Sequence, residues 1–227
     1  MNILQNKVLF SFLRNLYRTA NVCFNVVFRI FILPSPYFNQ YIFVDPNSIS
    51  KKTILKANKF RDCGRIKNGD WDFKLIDFKS DYPYYRSLKA SLIDGEPWEE
   101  TQLYKTGLQK LKRGETAFGA RSETELKERF NYIAKLYNEI KEKGYRNPKS
   151  LTFKGFSDEV SIHIGRDGNL IFHDGGHRLS IAQLLNLKSI PVQVTFRHKQ
   201  WNNLRTKLMK ETKKVSVKFN HPRSGFH

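Results

Sequence analysis

The sequence predicts an α+β protein, and three observations predict this class. Residues 160–164 and 170–172 alternate as two strands around a glycine-containing turn, the pattern of a β-hairpin. A two-glycine turn, a helix with apolar periodicity and a buried strand over 190–196 follow directly. Residues 82–149 carry helical periodicity and capping signals. The sequence therefore contains both strands and helices.

Composition and charge narrow the class of protein further. The chain has 227 residues, 40% of them hydrophobic, which is enough for a real core in one domain with elaborations or in one domain plus a lobe. Its formal charge of +19 predicts attraction to polyanions: nucleic acid, an anionic membrane surface, nucleotides or acidic glycans. The two cysteines, Cys23 and Cys63, lie far apart without metal-type spacing. This excludes a disulfide framework and a structural zinc site, and it is typical of the reducing cytoplasm.

The first 34 residues form a segment of their own, with an amphipathic helix predicted over 8–33. Pro34 ends the helix, and Arg29 interrupts its best apolar run, so neither a membrane span nor a cleaved signal peptide is expected. One interpretation is a helix in a membrane interface, which would make this cytoplasmic protein peripheral to the inner face of a membrane. The other is a helix packed on the body or on a partner. The polar side chains fall within one narrow sector: Arg14, Arg18, Asn21, Asn25 and Arg29.

The next segment holds two candidate catalytic carboxylates. Residues 40–49 predict a short strand and a turn, and 51–67 is basic without a clear period. Residues 64–72 predict a compact loop in which Asp70 and Asp72 flank Trp71. Such carboxylates can act as a base or hold a metal. The alternative is an ordinary turn whose tryptophan fills part of the core.

Three helices are predicted between residues 82 and 149. The first covers 84–92, the second 98–111, and the third begins at a capping box formed by Ser122 and Glu125 and closes at Gly144. The charges of the third helix are interpreted as a solvated face. Its apolar residues recur every three or four positions: Leu126, Phe130, Ile133, Tyr137 and Ile140.

The turn at 174–178, Asp-Gly-Gly-His-Arg, carries the main functional signal. A helix that begins there presents unpaired N–H groups and a positive dipole end, which suit a phosphate. Gly175 and Gly176 would let the backbone approach the phosphate, and Arg178 would clamp it. His177 would donate a hydrogen bond or shuttle a proton, and Asp174 would hold Mg²⁺ or fix the turn.

Alternatives to this interpretation stay open for each residue. The glycines would also permit a tight turn, His177 would also pair with backbone, and Arg178 would also form a surface salt bridge. A transition-metal site made of His163, His173 and His177 is a further alternative. Beyond the strand at 190–196, residues 201–227 predict a basic helix with a fraying end, which either grips phosphate backbones or keeps the protein soluble.

The turn and its surroundings resemble the signature of the ParB/sulfiredoxin superfamily. The resemblance rests on residues 174–178, on the helix with Ala182, and on Asn-Leu-Lys-Ser-Ile-Pro-Val at 186–192. Residues 44–49 are similar to the strand and turn that open that domain. The resemblance implies a small mixed sheet with helices over 35–200, into which a helical segment at about 82–149 is inserted.

The resemblance also implies a ligand. In that superfamily the turn binds nucleotide phosphates, and the arginine matching Arg178 contacts them, which implies ATP, ADP or CTP with Mg²⁺. Sulfiredoxin activity is not expected, because Gly175, Gly176 and His177 stand where that enzyme needs a cysteine. A full partition protein is not expected either, because the chain ends too soon after the core to hold its helix-turn-helix domain.

The closest branch in motif is the free-serine-kinase-like one, which implies phosphoryl transfer to a small hydroxyl or glycan substrate. Such a reaction needs positioned phosphates and a carboxylate that orients the acceptor, for which Asp70 or Asp72 is the candidate. One alternative is a DNA-binding protein or nuclease that uses the basic tail and residues 51–67. The other is a non-catalytic, membrane-associated protein tethered by residues 8–33. The sequence does not specify the acceptor, the nucleotide or the oligomeric state.

Overall fold

The computed structural model describes residues 41–55, 62, 64–146 and 159–219, with the backbone alone for 213–219. The amphipathic helix predicted over 8–33, part of the basic segment 51–67 and the end of the tail lie outside these ranges. In the part of the chain that is described, no helix has both the length and the apolar character needed to cross a bilayer.

A seven-stranded mixed sheet forms the body of the described protein. The strand order is β1-β7-β5-β6-β2-β4, and β3 also pairs with β7. The pairs β2–β6, β3–β7 and β5–β7 are parallel and the others antiparallel. An α+β fold with a mixed sheet is therefore confirmed. The strands are β1 Tyr41–Val44, β2 Lys51–Thr53, β3 Arg65–Lys67, β4 Leu75–Asp77, β5 Ser161–Ile164, β6 Leu170–Asp174 and β7 Ile190–His198.

Five α-helices accompany the sheet in the described ranges. The helix predicted over 98–111 is in fact a 3-10 turn, Trp98–Glu100, followed by a separate helix. The break falls at Thr101, whose extended backbone and side-chain oxygen cap the new helix by accepting from Tyr104 N–H at 3.3 Å. The helices are α1 Pro83–Leu92, α2 Gln102–Lys112, α3 Glu123–Lys143, α4 Gly176–Leu184 and α5 Lys199–Phe219.

Local capping chemistry sets the start of α3. The Ser122 hydroxyl accepts from the Glu125 N–H at 3.2 Å, as the capping box predicts. The Glu125 carboxylate reaches back one residue further than expected and accepts from the Arg121 N–H at 2.8 Å. Together these bonds satisfy two backbone donors at the helix entrance.

Helix α4 joins two hydrophobic cores. Its Ile181 packs into the core of α1–α3, while Leu179 and Ala182 pack into the core of the sheet. Gln183 donates to the carbonyl oxygens of Pro46 at 2.9 Å and Ile49 at 3.2 Å, which fixes the turn after β1 against α4. The start of α4 is thereby held where the helical layer meets the end of β6.

Candidate functional site

A cavity of about 320 Å³ opens beside the start of α4. One wall is the turn that joins β6 to α4, and the opposite wall is the side of α3 that faces this turn. Side chains from α1 and from the α2–α3 loop complete the lining. The cavity is bounded by Tyr84, Phe118, Arg129, Tyr132, Ile133, Leu136, Asp174, Gly175, Gly176, His177 and Arg178.

Both glycines of the turn are required by close packing. Gly175 has a left-handed backbone with φ +87°, and a Cβ there would lie 2.8 Å from the Cα of Val160. A Cβ at Gly176 would lie 2.7 Å from Cδ1 of Tyr84. Tight packing therefore explains both residues, as the alternative interpretation states. The predicted approach of a phosphate over Gly176 is restricted on the side that the Tyr84 ring occupies.

The turn directs the start of α4 at the cavity. Gly176, His177 and Arg178 are its first three residues, and N–H groups in the first turn of a helix have no intrahelical acceptor. The helix dipole adds a partial positive charge at the same end. The start of α4 therefore suits an anion in the cavity.

His177 forms an aromatic and neutral part of the wall. Its ring centroid lies 4.7 Å from that of Tyr84 and 6.1 Å from that of Phe118. Burial, and then the positive charge of Arg129, lower the pKa of His177 to about 3. Its Nε2 atom is buried without a hydrogen-bond partner. The imidazole is thus uncharged at neutral pH, where a group of such low pKa makes a poor proton shuttle and a good hydrogen-bonding group.

Arg178 lies between the cavity and a buried polar group. The Tyr145 hydroxyl donates to Oε2 of Glu159 at 3.0 Å, and the positive charge of Arg178 acts on the same hydroxyl. Burial, and then the Glu159 charge, raise the pKa of Tyr145, which keeps this phenol protonated. Arg178 thus lines the cavity close to this buried pair.

Asp174 is the acidic residue of the cavity lining within the described ranges. Lys52 of β2 lies nearby, with its Nζ 4.8 Å from the ring centroid of Tyr82 and 5.1 Å from that of Phe172. Burial lowers the pKa of Lys52, and the charge of Asp174 acts in the opposite direction. One carboxylate thus faces the cavity beside a half-buried lysine.

The structure does not bring Asp70 and Asp72 to this cavity. Arg166, in the turn after β5, binds Oδ1 of Asp72 at 2.7 Å and Oδ1 of Asp70 at 2.9 Å. Asp174 pairs with Ser161 at the other end of β5, and the ends of this four-residue strand are roughly 10 Å apart. The hairpin therefore separates these carboxylates, which were predicted to supply the base, from the turn at 174–178, and in the structure they anchor a loop.

Trp71 also follows the ordinary-turn interpretation. Its ring packs edge-on against Phe196 at 4.8 Å and against His163 at 5.8 Å between centroids. The loop predicted over 64–72 additionally contains β3, which pairs with β7. The loop therefore contributes one strand to the sheet and packs its tryptophan against β7.

The three histidines proposed for a transition metal are not gathered. His163 and His173 lie on neighbouring strands with ring centroids 4.6 Å apart, and His163 stacks on Phe196 at 3.6 Å. His177 lies in the cavity wall instead. Across the described ranges, no group of three or more His, Cys, Asp or Glu side chains is arranged to hold a metal ion. The single carboxylate of Asp174 suits Mg²⁺ only when ligand phosphates supply further oxygens.

Sequence reasoning missed six lining residues, among them Ile133 and Leu136. Arg129 and Tyr132 belong to the helix whose charges were interpreted as solvated, and Tyr84 and Phe118 lie in other segments. A signal was present on α3, since positions 129, 132, 133 and 136 have the spacing of one helical face. No local signal shows that this face lies opposite the turn at 174–178.

The chain matches no protein-family model, no curated protein and no solved structure. The geometry of the cavity is therefore the ground on which a function is inferred.

Proposed function

We propose that this protein binds a nucleotide through its phosphates in the cavity beside the turn at 174–178. The proposal rests on one observation: several groups that suit a nucleotide line the same cavity. Two guanidinium groups, Arg129 and Arg178, and the start of α4 line the same space as an exposed carboxylate and several aromatic rings.

Charge and hydrogen bonding favour a phosphate here. A phosphate at the start of α4 accepts from first-turn N–H groups, and arginine adds charge-assisted bonds in a fork that fits its oxygens. His177, with a pKa of about 3, lines the cavity without adding positive charge. With Arg129, Arg178 and Asp174 counted, the lining carries one net positive charge.

The walls favour a ligand with a flat ring as well as a phosphate. Tyr84, Phe118 and Tyr132 supply aromatic surface, and Ile133 and Leu136 supply aliphatic surface. Small-molecule sites combine such apolar walls with a few directed polar groups in about 300–1,000 Å³. The cavity, at about 320 Å³, lies at the lower end of that range.

The reaction we propose is phosphoryl transfer to a small hydroxyl or glycan substrate, in a kinase-like manner. Asp174 takes the place of Asp70 and Asp72 as the carboxylate beside the phosphates. The acceptor oxygen forms a bond to the terminal phosphorus and the bond to the bridging oxygen breaks. The hydroxyl proton passes to Asp174. Mg²⁺ held by the phosphate oxygens would neutralise charge on the transferred group, while Asp174 acts as the base.

We also propose that this protein contains a domain of ParB/sulfiredoxin type. Its support is the order of elements: a hairpin, the Asp-Gly-Gly-His-Arg turn, α4 and β7 follow one another as the resemblance implies. The turn after β1 packs on α4 through Gln183, which fits an opening strand and turn beside the motif helix.

Thermal unfolding with ATP, ADP or CTP and Mg²⁺ tests binding. We expect a nucleotide at 100 times its Kd to stabilise the wild type by about 2.7 kcal/mol. Arg178→Ala should weaken binding by about 10- to 100-fold, the value of a hydrogen bond to a charged group, and Arg178→Lys by less. Arg113→Ala removes an exposed arginine outside the cavity lining and should bind as the wild type does.

Two further outcomes separate binding from catalysis. Asp174→Asn should retain nucleotide affinity and lose transfer of the terminal phosphoryl group to a panel of hydroxyl acceptors. If no nucleotide stabilises the wild type, the proposal fails.

A nucleic-acid-binding function is the second candidate, because α5 is basic on its exposed side. Lys199, Lys207 and Lys210 are exposed there, with Glu211 as the acidic residue of the described side chains in this helix. Stabilisation by duplex DNA that falls steeply with salt, without stabilisation by nucleotides, would favour this candidate. The membrane-associated alternative rests on residues 8–33, outside the described ranges.

A further inference from the structure

We infer that Arg129 and Tyr132 of α3 form the second half of the binding site, a guanidinium clamp and a ring platform that select a nucleoside phosphate over a simple phosphate. The inference rests on the proposed function and adds the residues that determine specificity.

Arg129 and Tyr132 present one face of α3 to the cavity. They are three positions apart, which places their side chains next to each other on a helix. The Arg129 guanidinium carbon lies 5.7 Å from the Tyr132 ring centroid, within the range of a cation–π contact. Ile133 and Leu136 continue this face and line the cavity below.

Arg129 differs from the other charges of its helix. Lys127 forms a surface ion pair with Glu99 at 3.6 Å. For Arg129, by contrast, no carboxylate of the described residues lies within ion-pair distance. Its charge acts on His177 across the cavity, where it is the second cause of the low pKa after burial. An anion held by Arg178 and the start of α4 would give Arg129 an ionic partner that none of the described residues supplies.

Tyr132 differs from the other aromatic residues of the lining. Tyr84 stacks on Tyr82 with centroids 4.6 Å apart, and Phe118 packs edge-on against Tyr84. Tyr132 is 49% exposed although it borders the cavity. A half-exposed ring that carries a cation–π contact is an arrangement on which bases stack, in a manner that tolerates different bases.

Together these contacts define the ligand class. The phosphates lie between Arg178, the start of α4 and Arg129, while the base covers Tyr132. Inorganic polyphosphates and sugar phosphates would use the first set of contacts and leave the ring uncovered. The ligand is therefore a nucleoside diphosphate or triphosphate.

Titration calorimetry on the full chain tests the inference, with ADP, tripolyphosphate and ribose 5-phosphate as probes. Tyr132→Ala should weaken ADP binding by about tenfold, the usual value of a stacked base, and leave tripolyphosphate binding unchanged. Tyr132→Phe should bind ADP as the wild type does. Arg129→Ala should weaken both ADP and tripolyphosphate, and Arg129→Lys should restore part of each. Lys135→Ala, an exposed change on the same helix outside the lining, serves as the control.

The outcomes separate this inference from the proposed function. If the wild type binds ADP and Arg178→Ala does not, while Tyr132→Ala and Arg129→Ala bind normally, the inference fails and the function stands. Equal losses for ADP and tripolyphosphate in Tyr132→Ala would also overturn the platform role. If the wild type binds none of the probes, both this inference and the proposed function are wrong.

Discussion

At the scale of single residues, the turn at 174–178 contains two glycines that close packing requires and, after them, residues with polar side chains. Gly175 is fixed by a left-handed φ and by its approach to Val160, while Gly176 is fixed by the Tyr84 ring. His177 and Arg178 do not have a positive φ, and their side chains supply polar groups of the wall. Local geometry and ligand chemistry therefore fall on different positions of the same turn.

Gly175→Ala should be distinctly destabilising. A left-handed non-glycine residue costs about 1–2 kcal/mol, and the added methyl group would meet backbone atoms at 2.8 Å and 3.1 Å that cannot move freely. We expect a loss of about 2–3 kcal/mol in the free energy of unfolding, measured by denaturant titration. Gly114→Ala is the matched control, since Gly114 has φ +75° and no atom within 4 Å of the added Cβ. Equal losses in both variants would show that the contact with Val160 adds nothing.

At the scale of elements, the two ends of the β5–β6 hairpin carry different features. One end carries the turn at 174–178 and the cavity. The other is closed by Arg166, which binds Asp70, Asp72 and the carbonyl oxygen of Gly69, and whose guanidinium carbon lies 3.6 Å from the Phe73 ring centroid. Burial tends to raise the pKa of Asp72, yet hydrogen bonds from Arg166 lower it overall. Asp72 therefore stays ionised as an anchor.

Asp72→Asn and Asp70→Asn should differ in stability. The Asp72 side chain is 4% exposed and accepts from both the backbone and the guanidinium of Arg166, whereas that of Asp70 is 77% exposed. We expect Asp72→Asn to cost about 2 kcal/mol in unfolding free energy and Asp70→Asn less than about 0.5 kcal/mol. Nucleotide affinity should not change in either variant. A loss of affinity in Asp72→Asn without a loss of stability would return this carboxylate to the binding site.

At the scale of the whole molecule, α4 packs into both the helical layer and the sheet. Ile181 belongs to the core of α1–α3, and Leu179 and Ala182 belong to the core of the sheet. The cavity lies where these layers meet, because α3 supplies one wall and the start of α4 the other. The site exists only when both layers are packed.

Ile181→Ala should weaken this junction and the cavity together. Truncation of a fully buried isoleucine costs about 2–5 kcal/mol. Since α4 is shared, far-UV circular dichroism and tryptophan fluorescence should still report one coincident transition at a lower Tm. Trp98 contacts the helical core and Trp201 the sheet core, so the fluorescence samples both layers. Two separate transitions would contradict a single cooperative body.

Elements of the fold were predictable where the residues that set them lie close together in the sequence. The start of α3 at Ser122, its end at Gly144 and the hairpin turn at 165–169 are set by residues within a few positions of each other. The strands β2, β3 and β4, of three residues each, escaped prediction. Their partners lie far away in sequence, as in the pairing of β2 with β6.

The sequence by itself determined the turn at 174–178, the helix and strand that follow it, and the charge that favours an anionic ligand. Glycine conformation, helix capping and apolar periodicity act over a few residues, so they can be inferred without the fold. Only the tertiary structure decided that Arg129 and Tyr132 lie opposite Arg178, and that Asp70 and Asp72 bind Arg166 instead of reaching the cavity. Such contacts depend on how whole layers pack, and the packing of segments that are distant in sequence leaves no local sequence pattern.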